Sequence, residues 1–321
     1  MPSRHLVDPQ ILPLIEQLPG ITLDWATLDQ SRAMILELGR EQRPPTPAGV
    51  AVSKRAIPGP TGGPEVGVVI SALTAPGRAR PGILHIHGGG YVMGSPEMGL
   101  VTDAAYVAAF GAVVVSVDYR LAPETPYPGP VEDCYAALKW LHGHADDLGV
   151  DRDLLVVSGE SAGGGLAAAT VLLARDRREI PVAFQHLVFP MLDDRTTVAP
   201  DPSPFLGQFV WTPEANLFGW TALLGHAPGG AEVSPYAAPA RAESLAGLPP
   251  TYIVCGALDL FLEEDLEYAR RLIRAGVPTE LHIYPGAPHG FMLVEDADVT
   301  RVFARDSMAA LGRALKAKVG R

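Results

Sequence analysis

A serine with a glycine two positions away on each side could act as a nucleophile. It is Ser161, in the run Gly159-Glu160-Ser161-Ala162-Gly163. The apolar pair Val156-Val157 precedes the run and an alanine-rich segment follows it, which predicts a strand, a sharp turn and a helix. Such a turn accepts only small residues two positions from the serine, and it raises the hydroxyl above the sheet. The spacing predicts a nucleophile elbow and fits neither common glycine-rich phosphate loop.

A run of glycines after a strand-like segment could bind the negative charge that develops during acyl transfer. The run is His87-Gly88-Gly89-Gly90, and consecutive glycines expose their N–H groups and let a substrate approach closely. With the N–H of Ala162, those of Gly88 and Gly89 would form an oxyanion hole with three donors. His87 is expected to brace this run by hydrogen bonding to the backbone, with Gly90 and Glu160 as further support around the site.

A general base and an orienting acid are expected downstream, in the order Ser, Asp or Glu, His. Asp259 ends one apolar run and His289 follows the next. Functional residues of open α/β sheets gather beyond the carboxyl ends of the strands, so both residues are placed to meet the serine. The nearby acids Glu263, Glu264 and Asp265 are better explained as the first turn of a following helix, where acids are favoured electrostatically.

These residues predict hydrolysis through a covalent acyl-enzyme. His289 would take the proton of Ser161 as its oxygen attacks an acyl carbon, while Asp259 would hold the imidazole and stabilise its charged form. Water would then attack the acyl-enzyme, with His289 again as the base. The chemistry needs no cofactor. A metal ion held by His85 and His87 is the weaker alternative, because no cluster of further ligands accompanies them.

The elements that must position these groups follow from the hydropathy pattern. Short apolar runs rich in Val and Ile recur along the chain, and helical patterns separate most of the later ones, which predicts an α/β fold with a mostly parallel sheet covered on both faces. The predicted strands lie at residues 66–70, 83–86, 113–117, 154–157, 187–189, 252–254 and 281–283. The predicted helices lie at 12–18, 25–38, 130–142, 164–175 and 264–275.

The chain is expected to comprise four segments: N-terminal cap helices at 1–45, a first part of the core at 46–190, an inserted cap segment at 191–225 and a second part of the core at 226–321. The proline-rich stretch 43–47 marks the first boundary. About sixty residues before the strand at 251 carry no strand pattern, and so long an insertion in a compact core is usually functional. Its residues Phe209, Trp211 and Trp220 are predicted to roof a bounded acyl pocket.

Composition excludes other classes of function. The 321-residue chain has a formal net charge of −11, which disfavours a nucleic-acid partner. Cys134 and Cys255 lie in apolar runs and are expected to be buried free thiols. The sequence contains no run of about eighteen apolar residues, so no membrane-spanning helix is expected. Pro9, Pro13 and Glu16 interrupt the apolar stretch that a signal peptide requires, so we expect a cytoplasmic protein.

Together the motifs resemble those of the hormone-sensitive-lipase-like esterases of the α/β-hydrolase superfamily. The similar stretches are 87–90, 118–124, 127–141, 159–164, 234–236, the strand end at 259 and 289–291, within roughly residues 80 to 295. The resemblance implies an eight-stranded sheet, a cap, hydrolysis of small acyl esters of short to medium chain length, and frequent homodimers. Many members have Asp where this chain has Glu160, so hydrogen bonds beside the nucleophile are expected to differ.

Two other functions share these features. An amidase, or a deacetylase of an acetylated metabolite or carbohydrate, would use the same three residues, because fold and triad do not separate amides from esters. A non-catalytic receptor of the same fold, similar to the plant gibberellin receptors that lack the catalytic histidine, is disfavoured since all three triad positions are filled. A serine carboxylesterase is the preferred prediction.

Overall fold

The structure, a computed structural model, describes residues 2–17, 23–41 and 46–319. Within these residues one sheet contains β1 (Val50–Ile57), β2 (Val66–Leu73), β3 (Arg80–Ile86), β4 (Val113–Asp118), β5 (Val150–Glu160), β6 (Phe184–Val188), β7 (Thr251–Gly256) and β8 (Thr279–Tyr284). Their order is β1-β2-β4-β3-β5-β6-β7-β8. Strands β3 to β8 run parallel, whereas β2 is antiparallel to both β1 and β4. The predicted eight-stranded, mostly parallel sheet is confirmed.

Helices connect the parallel strands, as crossovers between neighbouring parallel strands require. The described residues form α1 (Leu12–Gln17), α2 (Leu28–Glu41), α3 (Leu100–Phe110), α4 (Gly129–Gly143), α5 (Ala145–Leu148), α6 (Ala162–Arg177), α7 (Pro213–Leu224), α8 (Leu262–Arg274) and α9 (Asp298–Val319). No helix in this part of the chain is long and apolar enough to cross a membrane.

The two faces of the sheet are covered by different helices. Side chains alternate between faces along a strand, so Gly82 and His85 of β3 point in opposite directions. A side chain added at Gly82 would meet Leu141 of α4, whereas His85 contacts Asp103 of α3. Burial on both faces explains why the central strands are nearly continuous apolar runs rather than alternating ones.

Strand β1 was not predicted, and its position explains why. In the described part of the chain it pairs only with β2, at the edge of the sheet, and of its residues only Ile57 is buried. Lys54 and Arg55 lie in its middle, which is typical of an edge strand that must resist pairing with other chains. Because neither face of β1 is well covered, the strand carries no apolar run.

Some predicted boundaries are wrong by a few residues. The helical pattern at 25–38 corresponds to α2, which begins only at Leu28. The reason is a turn at Asp24, whose carboxylate accepts the N–H groups of Ala26 and Thr27 at 2.9 and 2.8 Å. The strand predicted at 187–189 ends at Val188. The sequence analysis predicts no helix at α3, α5, α7 or α9, while residue 18 and the boundary residues 43–45 lie outside the described residues.

The N-terminal segment contacts the insertion that follows β6. The ring of Trp25 packs on that of Phe218 with centroids 4.7 Å apart. The hydroxyl of Ser3 donates to the Gln208 side-chain oxygen at 2.8 Å. No strand forms between 189 and 250, a stretch that the structure describes throughout, and α7 is its α-helix. These contacts place the N-terminal segment and the insertion on the same side of the molecule.

Candidate active site

Ser161 lies at a sharp turn between the end of β5 and the start of α6. Its backbone has φ 56° and ψ −123°, a conformation with positive φ that is rare for residues other than glycine. Neighbouring elements leave no room for side chains around it: a Cβ at Gly159 would lie 2.2 Å from the Gly163 carbonyl oxygen, and one at Gly163 would lie 2.0 Å from the Ile86 carbonyl oxygen. In this protein, the Gly163 and Ile86 carbonyl oxygens are therefore atoms that restrict these positions of the predicted elbow to glycine.

Ser161, His289 and Asp259 form a continuous hydrogen-bonded chain. His289 Nε2 lies 3.0 Å from Ser161 Oγ, and its Nδ1 lies 2.8 Å from Asp259 Oδ2. An ionised carboxylate can only accept, so Nδ1 carries a proton and Nε2 is left to accept from the serine. The second oxygen of Asp259 accepts the Phe261 N–H at 3.0 Å, which fixes the carboxylate. The structure brings together all three residues that sequence analysis assigned to one site.

Aromatic rings enclose the imidazole of His289. Phe189 and Phe261 meet it edge-on, with centroids 4.8 and 5.2 Å away. Ser161 and His289 are each 7% exposed, and Asp259 is fully buried. In a site with so little water, interactions with a developing charge are stronger than in solvent.

The glycine run lies against the nucleophile. A Cβ at Gly88 would be 3.3 Å from Ser161 Cβ, and Gly89 has φ 118°, a conformation open to glycine. Ala162 begins α6, whose first N–H groups have no partner within the helix. Among the described residues, the N–H groups of Gly88, Gly89 and Ala162 donate to no other protein atom. They are free to meet an oxyanion.

His87 and Tyr119 hold the glycine run from below. His87 Nδ1 lies 2.7 Å from the Gly88 carbonyl oxygen and must donate to it. The His87 ring stacks on Tyr119 at 4.3 Å, and the Tyr119 hydroxyl donates to the His87 carbonyl oxygen at 3.0 Å. Burial lowers the pKa of His87 to about 4, so its ring is neutral at pH 7. This histidine hydrogen-bonds to the backbone of the glycine run.

Sequence analysis missed a buried ionic chain beneath the elbow. His85 Nδ1 lies 2.5 Å from Asp103 Oδ1, and His85 Nε2 lies 2.7 Å from Glu160 Oε1. For His85 the sequence offers only the weaker alternative of a metal ligand beside His87. Within the described residues no group of His, Cys, Asp and Glu is arranged to hold a metal ion. Asp103 carried no sequence signal because α3 itself was not predicted.

The insertion places aromatic side chains over the glycine run. A Cβ at Gly90 would lie 2.2 Å from the Trp211 ring, whose centroid is 6.4 Å from that of His289. Trp220 is fully buried and packs on Tyr91 with centroids 5.2 Å apart. Phe209 is also buried in this layer. Of the three predicted cap aromatics, Trp211 is the one that the structure places beside the triad.

The acids after Asp259 occupy the first turn of α8, where sequence analysis put them. Glu264 accepts the Leu192 N–H at 2.6 Å and bonds to the Thr196 hydroxyl, so it ties α8 to the start of the insertion. Burial raises the pKa of Glu264 and of Asp265 well above their ordinary values. In the described part of the chain, Asp259 is the only residue whose carboxylate accepts a hydrogen bond from His289.

Comparisons with known proteins agree with this arrangement. Residues 83–293 match the family described by its alpha/beta hydrolase fold. Esterase LipI of Mycobacterium tuberculosis is 34% identical over 296 residues, which cover 90% of this chain and 89% of the relative. Carboxylesterase NlhH of the same organism is 36% identical over 246 residues, which cover 74% of this chain and 75% of the relative.

Solved structures give the same result. A bacterial heroin esterase superposes with a TM-score of 0.90 at 40% sequence identity, over 97% of this chain and 98% of that chain. Esterase LipW from Mycobacterium marinum gives 0.85 at 34% identity, over 97% and 96% of the two chains. With this fold, these relatives and a Ser-His-Asp chain at the sheet edge, the protein belongs to the hormone-sensitive-lipase-like esterase family of the α/β-hydrolase superfamily.

Proposed function

We propose that this protein is a serine carboxylesterase that hydrolyses small esters of short to medium acyl chain length, with Ser161 as its nucleophile. The observation that carries the proposal is the hydrogen-bonded chain from Ser161 Oγ through His289 to Asp259, at 3.0 and 2.8 Å. A serine hydroxyl is a weak nucleophile unless an oriented base takes its proton, and this arrangement supplies that base.

The first half of the reaction acylates the serine. Ser161 Oγ attacks the ester carbon while His289 Nε2 takes its proton, and Asp259 stabilises the imidazolium that forms. The N–H groups of Gly88, Gly89 and Ala162 are proposed to stabilise the oxyanion. His289 then gives the proton to the departing alcohol. In the second half, water loses a proton to His289 as it attacks the acyl carbon. The bond from the acyl carbon to Ser161 Oγ then breaks, His289 returns the proton to Ser161 Oγ, and the carboxylic acid leaves.

Two features support a cap over this site. The Trp211 ring lies beside Gly90, and the Trp25–Phe218 contact joins the N-terminal segment to the insertion. We propose that the segments 1–45 and 191–225 form this cap, with Phe209, Trp211 and Trp220 limiting the length of the acyl group. A closed roof favours single ester molecules over lipid aggregates, so turnover is expected to show no jump when a substrate forms an emulsion.

The nucleophile can be tested directly. Ser161→Ala should abolish hydrolysis of p-nitrophenyl butyrate while leaving the circular dichroism spectrum unchanged. An organophosphate should label the unmodified chain once, at Ser161, as read by peptide mass spectrometry. A label at another serine, or full turnover by Ser161→Ala, would contradict the proposal. A matched pair of butyryl ester and butyryl amide measures the preference between the two bonds.

We also propose a homodimer in the cytoplasm. Strand β8 ends the sheet and, among the described residues, pairs only with β7, which leaves one row of its backbone groups open to a second chain. Cys134 and Cys255 are free and buried, which agrees with a reducing compartment. Light scattering after gel filtration would reveal the mass of the assembly, and a mass of 34.0 kDa would reject the dimer. Cell fractionation would test the compartment.

A further inference from the structure

Three ionisable side chains beneath the elbow take no part in the acyl-transfer steps. His85 lies between Asp103 and Glu160, with ring nitrogens 2.5 and 2.7 Å from their oxygens. Ser116 donates to the second oxygen of Asp103 at 2.6 Å. Asp103 and His85 are buried and Glu160 largely so. Buried charges are costly unless they are paired, so this chain needs an explanation.

The contacts determine the protonation of His85. Each of its ring nitrogens faces a carboxylate oxygen, and an ionised carboxylate can only accept a hydrogen bond. Both nitrogens therefore donate, and the ring is an imidazolium. Burial lowers the pKa of His85, but Glu160 and Asp103 outweigh it and hold this pKa well above its ordinary value. His85 in turn lowers the pKa of Glu160 against the effect of burial.

This ionic chain joins the two loops that must act together. Glu160 directly precedes Ser161, and its carbonyl oxygen would lie 3.0 Å from a Cβ at Gly88. His85 lies on β3, three residues before Gly88. The Glu160–His85 bond thus connects the end of β5, which carries the nucleophile, to the strand that leads into the glycine run. Catalytic groups must be held within about 0.5 Å of their productive positions, which a single strained turn does not ensure.

We propose that the His85 imidazolium, gripped by Asp103 and Glu160, is a positioning group that holds the Ser161 elbow against the oxyanion glycines. The inference rests on the proposed esterase function and deepens it. His85 touches no substrate atom in this proposal. It acts through Glu160 on the distance between nucleophile and oxyanion donors, which matters most when the tetrahedral intermediate forms.

His186 provides a matched control. It is buried on β6, and its ring nitrogens bond to the hydroxyls of Ser158 and Ser307 at 3.0 and 2.8 Å. Burial lowers the pKa of His186 to about 4, so this ring is neutral, and among the described residues its hydrogen-bond partners are hydroxyls and no carboxylate. Replacing either histidine by Gln disturbs the core between sheet and helices, but only His85→Gln breaks the link to Glu160.

The experiment compares kcat per active site, titrated by an organophosphate, in the unmodified chain, His85→Gln and His186→Gln. We expect kcat to fall about 10- to 100-fold in His85→Gln, with KM for p-nitrophenyl butyrate changed less than about twofold, because a small misplacement costs this much in rate. Inhibition by a trifluoromethyl ketone, which forms a tetrahedral adduct, should weaken by the same factor. His186→Gln should lower Tm yet keep kcat per site.

A second variant keeps the test decisive if His85→Gln folds poorly. Glu160→Gln should show the same loss, and the double variant should lose no more than the worse single variant, because both changes remove one interaction. Unchanged kcat and inhibitor affinity in folded His85→Gln or Glu160→Gln, or losses that multiply in the double variant, would overturn the inference. No turnover by the unmodified chain would instead reject the proposed function.

Discussion

At Ser161 the backbone takes a strained conformation that surrounding hydrogen bonds maintain. A residue in such a region costs about 1–3 kcal/mol, so the fold must hold it in place. The Ser161 N–H donates to the Val188 carbonyl oxygen at 2.9 Å, while the Ser161 carbonyl oxygen accepts the N–H groups of Met191 and Gly165 at 2.9 and 3.0 Å. These bonds anchor the turn to β6 and α6. Because the backbone of the turn is fixed, the Ser161 side chain starts from one defined position facing His289.

The orienting acid gives a first prediction. Asp259→Asn should lower kcat by about 10⁴-fold, because an amide in that place favours the wrong imidazole tautomer. Esterase assays on the purified variant measure the effect. Glu263→Gln is the control, since Glu263 is an exposed acid in the first turn of α8, four residues after Asp259. Similar losses of kcat in the two variants would contradict the assignment of the orienting role to Asp259.

A second prediction concerns the oxyanion donors. Gly89 has φ 118°, and a Cβ there would lie 2.0 Å from the Met93 carbonyl oxygen, so Gly89→Ala must displace the run. We expect kcat to fall by at least about 10²-fold, the cost of losing one oxyanion donor. Stopped-flow measurement of the acylation rate gives the change. Gly143→Ala, where the added methyl group meets nothing within 4 Å, should leave the rate intact. A normal acylation rate in Gly89→Ala would contradict the role of the glycine run as an oxyanion hole.

Helix α7 begins two residues after Trp211, the aromatic residue of the proposed cap that lies beside the triad. Thr212 caps it by accepting the Ala215 N–H at 3.3 Å, Pro213 occupies its first turn, and Gly225 ends it in a left-handed conformation. Trp211 precedes the cap residue, and its indole N–H donates to Asn216 at 3.1 Å. Because the helix start is this well defined, the ring of Trp211 has a fixed position above Gly90.

The length of the acyl pocket gives a third prediction. Each buried methylene gains about 0.8 kcal/mol until the pocket is full, so kcat/KM on p-nitrophenyl esters should peak at about four to eight carbons. Trp211→Ala should move this maximum to longer chains, because the ring no longer closes the space beside His289. Phe205→Ala, a change at an exposed aromatic of the same insertion, should not move it. An unchanged profile in Trp211→Ala would show that another group sets the limit.

Across the whole molecule, one arginine ties the N-terminal helix α2 to the core. Arg32 donates to the carbonyl oxygens of Val92 and Ala122 at 2.7 and 3.0 Å, and pairs through two N–H groups with Glu124, both at 2.7 Å. Val92 follows the glycine run, so the same side chain links α2 to the loop of the active site. The hydrogen bonds from Arg32 lower the pKa of Glu124 to about 2.

This pair makes stability depend on pH in a defined direction. The pKa of Glu124 is below its ordinary value of 4.5 in the folded state, so its stabilising effect is present above that value and is lost as pH falls toward about 2. At about pH 6 the Tm of Glu124→Gln should therefore be lower than that of the unmodified chain, and the gap should close as pH falls. In an Arg32→Leu background, Glu124→Gln should change Tm equally at every pH. A gap that widens in acid would contradict the pairing.

Local spacing and hydropathy were enough to predict the features that depend on neighbouring residues in the sequence. The turn at Ser161 needs small residues on each side, and Asp259 and His289 follow apolar strands, so both patterns were visible without a structure. The buried parallel strands were predictable for the same reason, since two covered faces require continuous apolar runs. The edge strand β1 was missed because water covers much of it, and its residues carry no such run.

Only the tertiary structure decided which distant residues meet. Asp103 reaches His85 across 18 positions, Arg32 reaches Glu124 across 92, and Trp211 lies on Gly90 from a different segment of the chain. Each contact depends on how a helix packs against the sheet, which no local pattern records. The chemistry of the triad was therefore determined by sequence alone, whereas the groups that hold and cover it were decided by packing between elements far apart in the chain.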